Sequence, residues 1–361
     1  MNKSKDLTIL AIETSCDDTA VSIIKVKANG FFEILANLVS SQIDLHRQYG
    51  GVYPFLAKRE HQKNLPIVYK KALAVAKKKK NFKKIDLIAV TAGPGLEPCL
   101  WTGINFAQDL AKKENLPLVP VNHIEAHILI NFIGQNLKPT KSELKKLLPA
   151  VCLVVSGGHT QLILMKDIGS YKIIGETRDD AAGECFDKAA RILGLDYPGG
   201  PIIAAKAITL DAKNKYNIRL PRPMISSKDY DFSFSGLKTA VLYEFKSRST
   251  RDRKTKKYIQ EMAKEIQAAI VEVLIKKTIK AAKDYNAKAI ILGGGVTANK
   301  ELRKQLTEKI KKEIPKVKYL IPEPKYSTDN AAMTGLTAYF SWLKKKKTWK
   351  KIEANANLRI D

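Results

Sequence analysis

The chain has 361 residues, 45% of them hydrophobic but only 7% aromatic, and carries 63 Lys and Arg against 36 Asp and Glu, a formal charge of +27. That length exceeds one ordinary domain and fits two α/β domains. No apolar run approaches the roughly 18 residues a bilayer requires, and the apolar start Leu7 to Ile12 is cut short by Glu13, so neither a membrane span nor secretion is expected. The scattered Cys16, Cys99, Cys152 and Cys185 form no CxxC pair and favour a reducing cytoplasm over a disulfide framework. The charge excess would attract a polyanion, nucleic acid first, although lysine runs such as 77–80 and 344–347 would serve equally as solvated helix ends.

In chain order, Leu7 to Glu13 reads as a buried strand, Thr14 to Thr19 as a polar turn and Ala20 to Val26 as a returning strand. The tip carries hydroxyls and two carboxylates, Asp17 and Asp18, suited to a phosphate or a metal but equally ordinary for a turn. A third strand, Phe31 to Ser40, completes a meander, and a helix is expected from about Pro54 through Lys80. Ile85 to Thr91 is a short strand running into Ala92-Gly93-Pro94-Gly95-Leu96 and then a helix from about Leu100 to Lys113. Strand, glycine loop and helix make a phosphate-site arrangement, without the GK[ST] ending of a P-loop.

Leu118 to Val121 is another strand, and it delivers the chain to Asn122-His123-Ile124-Glu125-Ala126-His127. Two of the five histidines fall four residues apart here, so on a helix both project from one face and can donate two nitrogens to a transition metal. The metalloprotease motif HExxH is not matched, because Ile124 follows the first histidine; Asn122 and Glu125 read instead as a capping pair, with Glu125 reaching back. Two histidines packed at a helix start remain the plain alternative. Lys138 to Lys146 reads as a polar linker and a domain boundary.

Beyond it the order of parts repeats. Ala150 to Val155, the turn Ser156 to Thr160 and Gln161 to Lys166 form a second hairpin; Ala289 to Leu292 leads through Gly293-Gly294-Gly295 to a helix from about Asn299. The hairpins lie about 140 residues apart and the glycine loops about 200, so the second half carries roughly 60 extra residues, a functional insertion. Duplicated α/β units facing each other would form a cleft lined by both sets of glycine turns. Asp329, before an apolar helix from Ala331 to Leu343, reads either as an N-cap or as a third metal ligand.

Together NHIEAH, VSGGHTQL (155–162), DDAAGECFDK (179–188), YPGGP (197–201), FSFSGLKTA (232–240), GGGVTAN (293–299) and STDNAAM (327–333) resemble the bacterial TsaD family, the tRNA N6-adenosine threonylcarbamoyltransferases. The resemblance implies an α/β fold of two tandem RNase H-like domains of the actin, Hsp70 and sugar-kinase (ASKHA) type. These are expected at 1–147 and 148–330, with an insertion at 175–258 and helix 331–343 packed back on the first domain. It implies one Fe(2+), or zinc, per subunit, held by His123, His127 and Asp329. It also implies substrate contacts from Val154, Val155, Ser156, Gly157, Gly158, Asp187, Gly200 and Asn299.

The implied reaction moves threonylcarbamoyl from threonylcarbamoyl-adenylate to N6 of adenosine 37 in tRNAs reading codons that begin with adenine. AMP is released, with helpers of the TsaB and TsaE type. No catalytic residue is assigned; Asp17 and His159 are candidates for a base. Ala204 stands where many relatives carry an acid, and Phe55 departs from a common PEIAS stretch. An ATP-dependent kinase or ATPase of the same fold, or a non-catalytic RNA-binding scaffold, would share the glycine turns or the charge.

Overall fold

A computed structural model describes residues 6–133, 143, 145–208, 215–345 and 351–361. The linker expected at 138–146 therefore lies largely outside the described residues. Five strands form the first sheet: β1 (Leu7–Glu13), β2 (Asp18–Val26), β3 (Phe32–Ser41), β4 (Leu87–Gly93) and β5 (Leu118–Asn122). Its order is β3-β2-β1-β4-β5, antiparallel through the meander and parallel from β1 to β5. Helices of this half among the described residues include α1 (Ile43–Arg47), α2 (Pro54–Lys77), α3 (Glu97–Glu114) and α4 (His123–Leu129). Pro54 opens α2 at a position where a missing N–H costs nothing.

The second sheet is built from β6 (Ala150–Val155), β7 (Thr160–Asp167), β8 (Ser170–Glu176), β9 (Ala289–Gly293) and β10 (Lys318–Leu320). Its order, β10-β9-β6-β7-β8, repeats the first when read from β8. Strand β8 has no counterpart in the sequence reading, because its exposed and half-buried residues carry no continuous apolar run. Between β8 and β9 lie α5 (Ala182–Ile192), α6 (Gly199–Ile208), α7 (Ser235–Ser247), α8 (Thr250–Arg253) and α9 (Lys256–Asp284); α10 (Lys300–Glu313) and α11 (Ala331–Lys345) follow β9. Two sheets of matching order make this a two-domain α/β fold of tandem RNase H-like units.

The inner strands β1 and β6 are apolar on both sides because helices cover both faces. Leu10 and Ile12 of β1 pack towards α2 and α3 with Leu65, Leu100 and Ile104, while Ile9 and Ala11 pack towards Ala331 and Met333 of α11. In β6, Val151, Leu153 and Val155 join the core under α9, while Cys152 and Val154 meet Ile124 and Ile128 of α4 and Leu336 and Phe340 of α11. Helices α4 and α11 are thus the shared layer between the sheets. That layer brings residues from both ends of the chain to one point.

The segment 351–361, to which the sequence reading gave no role, straps the two halves together. The Asn355 amide donates to the Ala92 carbonyl (2.9 Å), Asn122 Nδ2 donates to the Arg359 carbonyl (3.1 Å), and Arg359 pairs with Glu176 at the end of β8 (3.3 Å). Among the described residues no helix is long and apolar enough to cross a membrane, and all four cysteines are free.

Candidate active site

Strand β5 runs directly into α4, and Asn122 closes the junction: its Oδ1 accepts the amides of Ile124 (2.8 Å) and Glu125 (3.1 Å). That cap satisfies first-turn donors, and His123 and His127 follow one turn apart with ring centroids separated by 4.6 Å. Glu125 corrects the expected capping pair. Instead of reaching back, its carboxylate accepts the Tyr171 hydroxyl of β8 (2.9 Å), a half-buried donor brought by the second sheet.

Asp329 arrives just before α11. Asn330, not Asp329, satisfies the start of that helix by accepting the Met333 amide (3.3 Å), which leaves the Asp329 carboxylate for the histidines. Its Oδ1 lies 3.1 Å from His127 Nε2 and 3.6 Å from His123 Nε2, and all three atoms fall within 4.8 Å of one another. Bonds of ~2.0–2.2 Å to a common ion would place ligand atoms roughly 3–3.6 Å apart, the range of the two carboxylate–imidazole distances, so the group fits a transition metal once the rings close on it. Two imidazole nitrogens and one carboxylate leave further coordination positions open.

Glu13, overlooked in the sequence as a strand end, stands behind His123. It is fully buried; Oε1 accepts the Ser15 amide (2.8 Å), and Oε2 accepts the hydroxyls of Thr91 (2.5 Å) and Thr334 (3.2 Å) and lies 3.2 Å from His123 Nδ1. A carboxylate on Nδ1 fixes the tautomer that leaves Nε2 free for a metal. The only signal in the sequence was an acid closing an apolar strand, a position where an unpaired charge would be expensive.

The electrostatics agree with a preformed cation site. Burial pushes Asp329 up, but His123 and His127 outweigh it and hold it below the usual carboxylate range. Burial likewise opposes charge on His123, yet Glu13 and Asp329 on either side lift it to about 9. Burial lowers His159 to about 4, assisted by repulsion from His123 and His127, and burial together with Asp329 raises Asp17. The tips of both hairpins therefore face the same charged group.

The residues expected to hold substrate fall into two clusters and one cap. Val154 and Val155 end β6 in full burial; in the following turn the Ser156 amide donates to the His159 carbonyl (2.8 Å) and Ser156 Oγ accepts the His159 amide (3.1 Å). A Cβ at Gly157 or Gly158 would meet nothing within 4 Å, so the protein's own packing does not demand glycine there, and the turn's backbone stands open. Asp187 and Gly200 come together, the carboxylate accepting the Gly199 amide (2.7 Å); burial raises this carboxyl to about 6. Asn299 caps α10: its Oδ1 accepts from Glu301 and Leu302 and its Nδ2 donates to Gln267 (2.9 Å), leaving one N–H uncommitted.

The two halves are joined close to the histidines. Asn131 Nδ2 donates to the Leu292 carbonyl (2.7 Å), and Gly293 lies so near α4 that a Cβ there would come within 2.7 Å of the His127 oxygen. Gly294, at φ 87°, passes equally close to Val155. Glycine is required at both positions.

Two RNase H-like units meeting over a His-His-Asp group, its histidines buried and its carboxylate partly open, define an α/β protein of the ASKHA type with a site able to hold a metal ion. The fold is shared with two crystal structures of HypF, one full-length and bound to phosphate and nucleotide, the other from T. kodakarensis. The TM-score is 0.57 for each, at 13% and 12% identity, over 96% and 97% of this chain, which spans about half of those proteins (48% and 50%). The model of the TsaD family, tRNA N6-adenosine threonylcarbamoyltransferase, matches residues 33–336. Proteins of that name from Thermosipho africanus and Clostridioides difficile are 46% and 44% identical, covering 98% and 99% of this chain and 100% and 99% of their own length. The chain belongs to the TsaD family.

Proposed function

We propose that this chain is an acyltransferase that moves the threonylcarbamoyl group from threonylcarbamoyl-adenylate to N6 of adenosine 37 in tRNAs reading codons that begin with adenine, releasing AMP. The observation that carries the reading is likeness along the whole chain to transferases of that name, 46% over 355 residues in one case. An exocyclic adenine amine is a weak nucleophile, so the rate must come from an activated donor, orientation and charge stabilisation at the leaving phosphate.

His123, His127 and Asp329 would hold a divalent ion, iron(II) or zinc, which supplies positive charge against the donor's phosphate when bound. The remaining work belongs to the chain. The open backbone at Ser156, Gly157 and Gly158, following Val154 and Val155, admits the donor close to the main chain. Asp187 beside Gly200 accepts from ribose hydroxyls, and Asn299 offers its remaining N–H. With the phosphate and nucleoside fixed, the carbamoyl carbon faces out of the cleft towards an unstacked base. The units proposed are 1–147 and 148–330, with the insertion 175–258 forming the nucleoside side and helix 331–343 returning to the first unit. Helpers of the TsaB and TsaE type and a cytoplasmic setting complete the proposal.

Replacement of His123 and His127 by Ala should abolish stoichiometric metal and transfer together while the circular-dichroism spectrum of the fold is retained. Substitution of Asp187 should weaken donor binding at unchanged metal content. Full metal occupancy in the folded double variant would reject the ligand assignment.

A further inference from the structure

Both sides of the His-His-Asp group are referred to one segment, the glycine loop 293–299. On the histidine side, Asn131 bonds the Leu292 carbonyl at the start of this loop, and Gly293 lies against the His127 carbonyl. On the carboxylate side the link is a residue outside the site, Arg303, the fourth residue of α10. Its Nε donates to the Thr297 carbonyl, and its Nη2 donates to Ser327 Oγ (2.8 Å), two residues before Asp329. Its amide donates to the Asn299 carbonyl (3.2 Å). One residue therefore holds the loop that presents Asn299 and the loop that presents Asp329.

Each acceptor is placed so that a shift at Arg303 reaches the site. Thr297 is fully buried, and its hydroxyl donates to the Gly294 carbonyl (2.7 Å), closing the glycine loop on itself. Ser327 is also fully buried; its hydroxyl donates to the Glu323 carbonyl (3.3 Å), which leaves a lone pair for Arg303. On the far side of Asp329, Asn330 Nδ2 donates to the Thr328 carbonyl (2.8 Å). The Asp329 carboxylate itself is turned to the two histidines. Its backbone is thus positioned by its neighbours, with Arg303 as the tie to the second unit's glycine loop. Only a planar fork of donors spans two acceptors on separate segments; the single ammonium of a lysine reaches one or the other.

We infer that Arg303 is a positioning residue that sets the spacing between the metal carboxylate Asp329 and the loop carrying Asn299. The inference rests on the ligand set and the transfer reading proposed above, and it names the residue that registers metal against donor. Position and charge predict opposite signs here. A guanidinium repels a nearby cation, so removing its charge alone would tighten metal binding, whereas removing a brace weakens it.

The test measures the zinc Kd of the full chain by competition with a chelator, with circular dichroism as the check on folding. Arg303→Met should weaken zinc about tenfold. Arg303→Lys, which keeps the charge and loses the fork, should stay weaker than the parent. Ser327→Ala, the milder change, should weaken zinc by about threefold and carries the test if Arg303→Met does not fold. The double variant Arg303→Met, Ser327→Ala should bind no more weakly than Arg303→Met alone, because both act through one bond. Zinc should also raise affinity for a non-hydrolysable analogue of the adenylate less in Arg303→Met than in the parent. Parental or tighter zinc binding in folded Arg303→Met or Ser327→Ala would overturn the brace, as would parental binding in Arg303→Lys or full additivity in the double variant. If the parent itself holds no zinc, the ligand assignment falls and takes the brace with it. If the zinc responses are as stated but the parent with its helpers leaves adenosine 37 unmodified, the transfer reading falls and the brace stands.

Discussion

Glu13→Gln is the most informative single change, because it keeps volume and burial while replacing one charged acceptor oxygen by an NH2 donor. The native carboxylate accepts from the Ser15 amide and two threonine hydroxyls and sets the His123 tautomer through Nδ1. A glutamine that keeps the Ser15 bond turns its NH2 towards His123, which favours a ring that accepts at Nδ1 and carries its proton on Nε2, the atom a metal needs, leaving the Ser15 hydroxyl, also 3.2 Å from Nδ1, as the one acceptor for the other tautomer. Carboxylate partners of metal-bound histidines typically account for 10–100-fold in affinity, or ~1.4–2.7 kcal/mol. Competition with a chelator under anaerobic conditions should therefore show the Kd for iron(II) or zinc rising by about one to two orders of magnitude. The metal-free melting temperature should shift by only a few degrees. A folded variant whose metal Kd stays within about twofold of the parent would refute the orienting role.

Other consequences are equally accessible. Gly293→Ala forces a Cβ against the His127 carbonyl, so it should lose ~1–3 kcal/mol in urea unfolding and weaken metal binding with it; a fully parental variant would show that α4 tolerates displacement. Burial raises Asp187 to about 6, so affinity for a non-hydrolysable donor analogue should fall as pH drops through 6, and Asp187→Asn should bind weakly with a flat profile. The folded pKa lies above the ordinary 3.8, so the folded chain holds this proton more tightly. Its contribution to stability therefore declines as pH rises from about 4 to about 6 and is level above. Removing residues 351–361 exposes the site of buried Ile352 and breaks the Asn355 and Arg359 contacts, for an expected loss of ~2–4 kcal/mol; an unchanged melting curve would contradict the strap.

Much of the architecture was legible because periodicity and turn chemistry are local. The hairpins, the glycine loops and the paired order of the halves follow from apolar runs bounded by Gly, Ser and Asp, and the histidine spacing announces a shared face. What escaped depends on contacts between distant segments. Glu13 meets Thr91 and Thr334, 78 and 321 residues away, so nothing nearby in sequence distinguishes it from a strand end. Glu125 satisfied every local rule for a capping partner, yet Tyr171, 46 residues on, supplied the competing donor. Strand β8 is an edge, with too little burial to leave an apolar pattern. The 351–361 strap, polar and loop-like, is held by a few main-chain bonds and by partners as distant as Asn122 and Glu176, which no local pattern marks. Asn299, expected as a substrate contact, spends most of its hydrogen-bonding capacity on its own helix.

The central claim, transfer to tRNA, is tested most directly by incubating the metal-loaded chain and its helper proteins with threonylcarbamoyl-adenylate and unmodified tRNA. Nucleoside mass spectrometry then follows adenosine 37 while AMP is quantified in the same reaction. The account predicts threonylcarbamoyl mass on adenosine 37 with equimolar AMP. AMP without added mass would mean hydrolysis of the adenylate, and γ-phosphate transfer from ATP in place of tRNA modification would make the chain a kinase; either result contradicts the account.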